Sequence, residues 1–446
     1  MSMEGNADPA LAARQYLEQC TDTSTAAVPR ERPTKALPVP RRWRTGESDE
    51  AERLLADELL LRSLSALPQN YDFEIAKTVE RIRRDRIQSV ALQLPEGLQV
   101  YACTLADILQ RLCQTKGSHT CLKVVILAEV TYGACCVDDL AAQRCGCELL
   151  IHYGHSCLVP IQHACVRTMY IFVRVSFETE HLIQCIMKEF EERSERIRLY
   201  LVSTIQFQGL LGTVAKALRE RGRFSEIFIP QARPLSRGEL LGCTAPMVST
   251  EHEAQETVPS IGDSWAVLYI GDGRFHLESV MIQNAHVEAF YRYDPYGKTL
   301  TREFYDHDSM VRERWEAIEA ARRPNVRLWG VILGTLGRQG NLNILRRILG
   351  MLREDCKQYV AILCNEVTPE KLRLLSGSGI DVWVQVACPR LSIDWGRNLA
   401  PDGAPVLTPY EAMVALGRVP WRGRRYPMDY YAGSGGPWSN YYRDGS

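Results

Sequence analysis

The chain has 446 residues, with 53 Lys and Arg against 54 Asp and Glu, a net charge of −1 and 46% hydrophobic residues. That length allows two to four domains at roughly 150 residues each, and the near-zero charge balance excludes a protein built as a whole to grip a polyanion. No apolar run approaches the ~20 residues of a membrane span, and the segment from Met1 to Cys20 lacks the unbroken apolar core of a secretory signal. The expectation is a soluble protein of the cytoplasm with no membrane contact and no direct nucleic-acid contact.

Residues 1–67 read as a flexible N-terminal tail: 29–50 mix proline with charge, and 49–64 offer one amphipathic helix. A helix over 74–84 then feeds a strand over 89–94, which leads through Pro95-Glu96-Gly97 to a helix over 98–114. The apolar run 122–130 predicts a buried parallel strand. It ends in a small-residue turn presenting Cys135, followed by a helix over 137–144 and a strand over 148–153. A second set of strands covers 198–204, 226–230 and 265–270, with Cys243 between the last two. A third covers 327–333, 359–364 and 381–387, with Cys388 directly after it. Strands alternating with helices mean parallel sheets with right-handed crossovers. The predicted fold class is α/β, with three similar parallel-sheet α/β domains at 68–185, 186–300 and 301–431 around a central site, and a flexible C-terminal tail over 432–446.

In parallel sheets the loops at the carboxyl ends of the strands line the ligand crevice. The small and polar segments fall there: Pro95-Glu96-Gly97, 132–136, 154–156, 271–276, 334–340 and Cys388-Pro389-Arg390. Fifteen cysteines, an odd number, in a long chain without a secretory signal favour reduced thiols over a disulfide framework. Cys103, Cys113, Cys165, Cys185, Cys356 and Cys364 lie within helical or strand patterns and read as core filling. Spacing alone leaves open a zinc site among Cys135, Cys136, Cys145, Cys147, His152, His155 and Cys157, although no Cys-x2-Cys pair occurs there. Gly271-Asp272-Gly273 is a poor dinucleotide-binding signal, because the remaining fingerprint glycine is replaced by His276.

Six segments taken together are specific. They are Tyr132-Gly133-Ala134-Cys135-Cys136-Val137-Asp138-Asp139, Tyr153-Gly154-His155-Ser156-Cys157-Leu158, Leu241-Gly242-Cys243-Thr244, Gly271-Asp272-Gly273-Arg274-Phe275-His276-Leu277-Glu278-Ser279, Gly334-Thr335-Leu336-Gly337-Arg338-Gln339-Gly340 and 386–395. In this order they resemble the diphthamide biosynthesis family of 2-(3-amino-3-carboxypropyl)histidine synthases, on the side of its subunit 1, over roughly 67–431.

The resemblance implies that one cysteine from each domain holds a 4Fe-4S cluster, at Cys135, Cys243 and Cys388, with Cys136 as a local ambiguity beside Cys135. It implies a transferase of the non-standard radical S-adenosyl-L-methionine type. The 3-amino-3-carboxypropyl group of that cosubstrate passes as a radical to carbon 2 of a histidine imidazole in elongation factor 2, and 5′-methylthioadenosine leaves. Asp272, Gly273, His276, Arg338 and Gln339 are the residues offered for cosubstrate binding, whereas Tyr132 and Tyr153 read as packing residues. The implied partners are a paralogous subunit 2 in a heterodimer, elongation factor 2 as protein substrate, and a small iron-binding electron donor protein. A reading from another class is a non-catalytic metal-binding scaffold that supports a catalytic partner. A cysteine in each of three domains is what a scaffold has no need of.

Overall fold

The computed structural model describes residues 58–114, 121–193, 196–248, 263–400, 402–431 and 435–442. Residues 1–57 of the tail expected over 1–67, with most of the helix expected over 49–64, lie outside them.

The first unit begins with α1 (Glu58–Ser65), β1 (Tyr71–Asp72) and α2 (Ile75–Arg84). Helix α2 buries Ile75, Thr78, Val79 and Ile82, the spacing of one helical face. Then come β2 (Ser89–Gln93), α3 (Glu96–Gln99), α4 (Ala102–Cys113), β3 (Lys123–Leu127), α5 (Asp139–Arg144), β4 (Leu149–Tyr153), β5 (Arg167–Ile171) and β6 (Arg174–Val175). The sheet is parallel throughout, in the order β3-β2-β4-β5. Strands β2 and β4 are buried along their whole length, as central strands covered on both faces are. The expectation of a buried strand over 122–130 is corrected. β3 is the edge strand, it stops at Leu127, and Lys123 and Ile126 face solvent. Residues 58–65, expected within the N-terminal tail, form α1, whose Leu60 is fully buried in this core.

The second unit holds α6 (Glu180–Glu189), β7 (Arg196–Ser203), α7 (Ile205–Gln208), α8 (Leu211–Glu220), β8 (Glu226–Phe228), β9 (Asp263–Ile270), α9 (Phe275–Gln283), β10 (Ala289–Asp294) and β11 (Thr299–Glu303). Its order is β11-β10-β9-β7-β8, parallel except for the β10–β11 hairpin. The three strands expected here are joined by that hairpin, whose turn Asp294-Pro295-Tyr296-Gly297 is closed by the Asp294 carboxylate accepting from the Tyr296 and Gly297 amides.

The third unit holds α10 (His307–Ala321), β12 (Leu328–Gly334), α11 (Leu342–Glu354), β13 (Gln358–Cys364), α12 (Pro369–Leu375), β14 (Val382–Val386), α13 (Pro389–Trp395), β15 (Val406–Leu407) and α14 (Pro409–Ala415). Its parallel sheet runs β13-β12-β14-β15. A capping box starts α14: the Thr408 hydroxyl accepts from the Glu411 amide, while the Glu411 carboxylate accepts from the Thr408 amide. The same carboxylate takes both ends of the buried Arg314 guanidinium, each at 2.7 Å, tying α10 to α14. Residues 435–442, expected in the C-terminal tail, pack on this unit, with the buried Trp438 ring 4.9 Å from that of Tyr410.

Candidate functional site

Each of the three units supplies one cysteine loop: Cys135 in the connection from β3 to α5, Cys243 in that from β8 to β9, and Cys388 between β14 and α13. Cys135 lies in a single tight turn, Ala134–Cys136, between β3 and α5. Gln93, the last residue of β2, donates through Nε2 to the Cys136 carbonyl at 2.7 Å and accepts the Asp138 amide at Oε1 at 3.1 Å. Asp138 in turn caps α5 by accepting the Ala141 amide. The turn is therefore held on both sides by the central strand of its sheet.

Cys243 sits in the turn closed by the Leu241 amide donating to the Thr244 carbonyl at 3.0 Å. A Cβ on Gly242 would lie 2.0 Å from the Phe275 ring, so only glycine lets this turn come so close to α9. Cys388 precedes α13, with Pro389 in the first turn where its missing amide costs nothing. Its carbonyl accepts from the Leu391 amide and from Gln385 Nε2.

The thiols feel one another. Cys135 is pushed well above the ordinary thiol range by its contact with Cys136, by burial, and by repulsion from Cys136, Cys388 and Cys243. Burial and then repulsion from Cys388 push Cys243 up in the same way. Burial pushes Cys388 up to about 11, with Cys136 adding to the rise and Arg390 opposing it. The Tyr431 hydroxyl is raised by burial and then by all four of these thiols. Thiolates collected in one place repel, so without a counter-cation Cys135, Cys243 and Cys388 hold their protons, whereas Cys136 is lowered to about 7, first by its hydrogen bond with Cys135 and against its burial.

Two arginines of the third unit bind the other two loops to it. The Arg338 amide donates to the Cys135 carbonyl at 2.8 Å, and its guanidinium grips Asp139 at 2.8 and 2.6 Å. Burial pushes the Asp139 carboxyl up, but hydrogen bonds from Arg338 and the Cys165 amide outweigh that and hold it below its usual value. Beside it, Gly337 has φ +53°, and a Cβ there would meet the Cys136 backbone at 2.4 Å. Arg390 donates to the carbonyls of Gly242 at 3.0 Å and Phe275 at 2.7 Å, pairs with Glu278 and Asp394, and lies 4.3 Å over the Phe275 ring. Thus the loops of Cys135 and Cys243 are both fastened to the unit that carries Cys388.

Among the described residues, no three His, Cys, Asp or Glu side chains stand close enough together to hold one metal ion. The set from Cys135 to Cys157 that left zinc open therefore makes no such site. A single tetrahedral ion at ~2.3 Å from each sulfur draws its ligands to about 4 Å from one another, whereas a cubane places iron and sulfide between its thiolates. Three soft donors from three loops, mutually repelling and without disulfides, are the donor chemistry that an iron–sulfur cluster uses.

The five residues expected at the cosubstrate are placed differently from one another. Asp272 and Gly273 are exposed, and Asp272 does not cap α9, whose N-cap is Arg274. His276 is half-buried, and burial followed by the nearby Arg390 charge lowers it to about 4. Gln339 donates to Cys136 Sγ at 3.3 Å. Arg338 is committed to Asp139.

Tyr153 is buried as expected, but Tyr132 is 61% exposed and is not a packing residue, since the edge strand before it leaves nothing to cover its ring. Cys103, Cys165 and Cys356 are likewise exposed rather than core filling; each falls on the solvent side of its helix or loop. Arg390 was missed as a site residue, although its place two residues after Cys388 was a signal.

The chain matches the family described as "Putative diphthamide synthesis protein" over residues 94–427. It is 48% identical over 395 residues to 2-(3-amino-3-carboxypropyl)histidine synthase subunit 1 of Mus musculus, covering 88% of this chain and 82% of that protein. The Homo sapiens subunit 1 is 48% identical over 389 residues, covering 86% and 81%. Among solved structures, Dph2 from Pyrococcus horikoshii superimposes with a TM-score of 0.59 at 25% identity, covering 78% of this chain and 91% of that one. The same protein with a 4Fe-4S cluster gives 0.60 at 26% identity, covering 80% and 93%.

Proposed function

The chain belongs to the diphthamide synthesis protein family, and on that premise we propose that it is the cluster-bearing subunit of the first step of diphthamide biosynthesis. It transfers the 3-amino-3-carboxypropyl group of S-adenosyl-L-methionine to carbon 2 of a histidine imidazole in elongation factor 2. Cys135, Cys243 and Cys388 hold a 4Fe-4S cluster, one thiolate from each of the three α/β units, whose borders differ from the expected 185/186 and 300/301 because α6 and β11 each run across one of them. The single observation that supports this is the convergence of loops that lie 108 and 145 positions apart along the chain (243 − 135; 388 − 243): Cys135 and Cys243 pack against one core cluster, and Arg338 and Arg390 of the third unit bond to the Cys135 and Gly242 carbonyls.

Bound there, a cluster would supply the electron needed to break a carbon–sulfur bond of the cosubstrate. The chain's own groups set the geometry. Arg338 and Arg390 hold the loops in register, and Gln339 reaches the Cys136 thiol from the loop after β12. His276 lies near Arg390 on the side of Cys243 and is the best placed of the expected cosubstrate residues. The reading carries with it a heterodimer with a paralogous subunit 2, a small iron-binding electron donor protein, and a place in the cytoplasm beside elongation factor 2. Among the described residues no helix is long and apolar enough to cross a membrane.

Anaerobic purification followed by iron and acid-labile sulfide analysis tests the reading. Equal amounts of iron and sulfide are expected, lost in Cys135→Ser, Cys243→Ser or Cys388→Ser and kept in Cys145→Ser and Cys165→Ser. A colourless protein with stoichiometric zinc, or equal loss in all five variants, overturns it in favour of a scaffold.

A further inference from the structure

The turn that carries Cys135 holds a second thiol, which the cluster reading leaves unused. In a strand successive side chains point to opposite faces, but the tight turn Ala134–Cys136 sets the two neighbouring sulfurs 4.0 Å apart. The turn is fixed from three directions. The Cys136 amide donates to the Gly133 carbonyl at 2.9 Å, the Cys136 carbonyl accepts from Gln93 Nε2, and a Cβ on Gly337 would lie 2.4 Å from the Cys136 backbone. From the third unit, Gln339 Nε2 donates to Cys136 Sγ at 3.3 Å. Cys136 is fully buried and Cys135 half-buried, so the pair is reached from the Cys135 side.

Two thiols this close can bond to each other or share an ion. Their peptide is trans, which fixes the Cα atoms ~3.8 Å apart, below the ~4.4 Å at which ordinary disulfides begin. A disulfide across the pair is therefore disfavoured. An ion suits the spacing as it stands. With metal–sulfur bonds of ~2.3 Å, two sulfurs on one ion lie about 3.8 Å apart at a tetrahedral angle and about 4.6 Å apart in a line. The observed 4.0 Å falls between these limits.

The number of donors selects the ion. Among the described residues no third His, Cys, Asp or Glu completes the pair, which disfavours Zn(II) with its four ligands and the hard cations that require several oxygens. Cu(I) is soft, takes thiolates, and is satisfied by two of them. Two thiolates on a monovalent ion leave one negative charge over, and the Gln339 amide donates toward it.

We propose that Cys135 and Cys136 form a two-sulfur site for Cu(I). Two thiol protons leave as two copper–sulfur bonds form, and nothing is oxidised or reduced. The site goes beyond the transferase reading and does not require it. Because Cys135 is common to both, copper on the pair and a cluster on Cys135, Cys243 and Cys388 exclude each other.

The experiment titrates Cu(I) anaerobically into the reduced, iron-free full chain in competition with the Cu(I) chelator bicinchoninate. Wild type should hold one Cu(I) that Cys135→Ser and Cys136→Ser each weaken at least about 100-fold, since losing an outer partner alone costs 10- to 100-fold. Cys145→Ser, Cys243→Ser and Cys388→Ser should keep it, and Gln339→Leu should weaken it about 10-fold. Should the buried Cys136→Ser fail to fold, the half-buried Cys135→Ser carries the test. Wild type given one Cu(I) before iron and sulfide should then take up almost no iron. Retention of the ion in Cys135→Ser or Cys136→Ser, or an equal loss in Cys243→Ser, overturns the site. A chain that takes Cu(I) on the pair but never takes iron and sulfide overturns the transferase reading and leaves this site standing.

Discussion

Replacing Arg390 with methionine removes the fastening between the Cys243 and Cys388 loops while keeping an unbranched side chain. The wild-type side chain is 2% exposed and bonds to two carboxylates and two carbonyls. Breaking a fully buried ion pair costs about 3–5 kcal/mol. Glu278 and Asp394 keep 22% and 28% of their side-chain exposure, so water recovers part of that, and the charge component falls to about 2–3 kcal/mol. The carbonyls of Gly242 and Phe275 lose a donor each, adding about 1 kcal/mol apiece, which gives about 4–5 kcal/mol in all. Urea unfolding followed by hydrogen exchange of the amides near residues 241–244 and 389–392 reads this. Exchange in both loops should accelerate together, and iron retention should fall. Arg390→Lys should recover only part, because an ammonium cannot reach four partners from one plane. A loss below about 1 kcal/mol with full iron content would refute the fastening.

Glu411→Ala leaves the Arg314 guanidinium buried and unpaired, and should cost about 3–5 kcal/mol in urea unfolding, more than any exposed ion pair on the same helices. Gly337→Ala forces a side chain into a left-handed backbone against Cys136. A loss of at least about 2 kcal/mol is expected, with faster amide exchange around residues 135–139. His155 and His276 are both lowered from 6.5 to about 4, by burial first. Between those values the unfolded chain binds more protons than the folded one, so the contribution of these two rings to stability should fall as pH drops from about 6.5 to about 4. Thermal melting across that range checks it, and His276→Gln should show a shallower fall.

The strands bearing the cysteine loops were legible because apolar runs ending in glycine and small residues have few other uses. Their position in the sheets was not. Nothing local in Lys123–Leu127 says that one flank will lack a neighbour, and only the pairing with β2 alone reveals it. The hairpin after β9 had a readable turn at Asp294-Pro295-Tyr296-Gly297, and the aromatic residues Trp438, Tyr441 and Tyr442 were a sign that the C-terminal segment would pack. The pairing of Arg338 with Asp139 spans 199 positions and follows from no periodicity; it exists only once two sheets face each other.

Because the fastening arginines and one of the three thiols belong to the last sheet, timing during synthesis is constrained. A nascent chain that has emerged as far as Glu303 already holds every strand of the first two sheets, yet its first two thiols have no wall opposite them. The three loops come together only after residue 390 leaves the ribosome, so the first two thiols wait for the third while the last sheet is made.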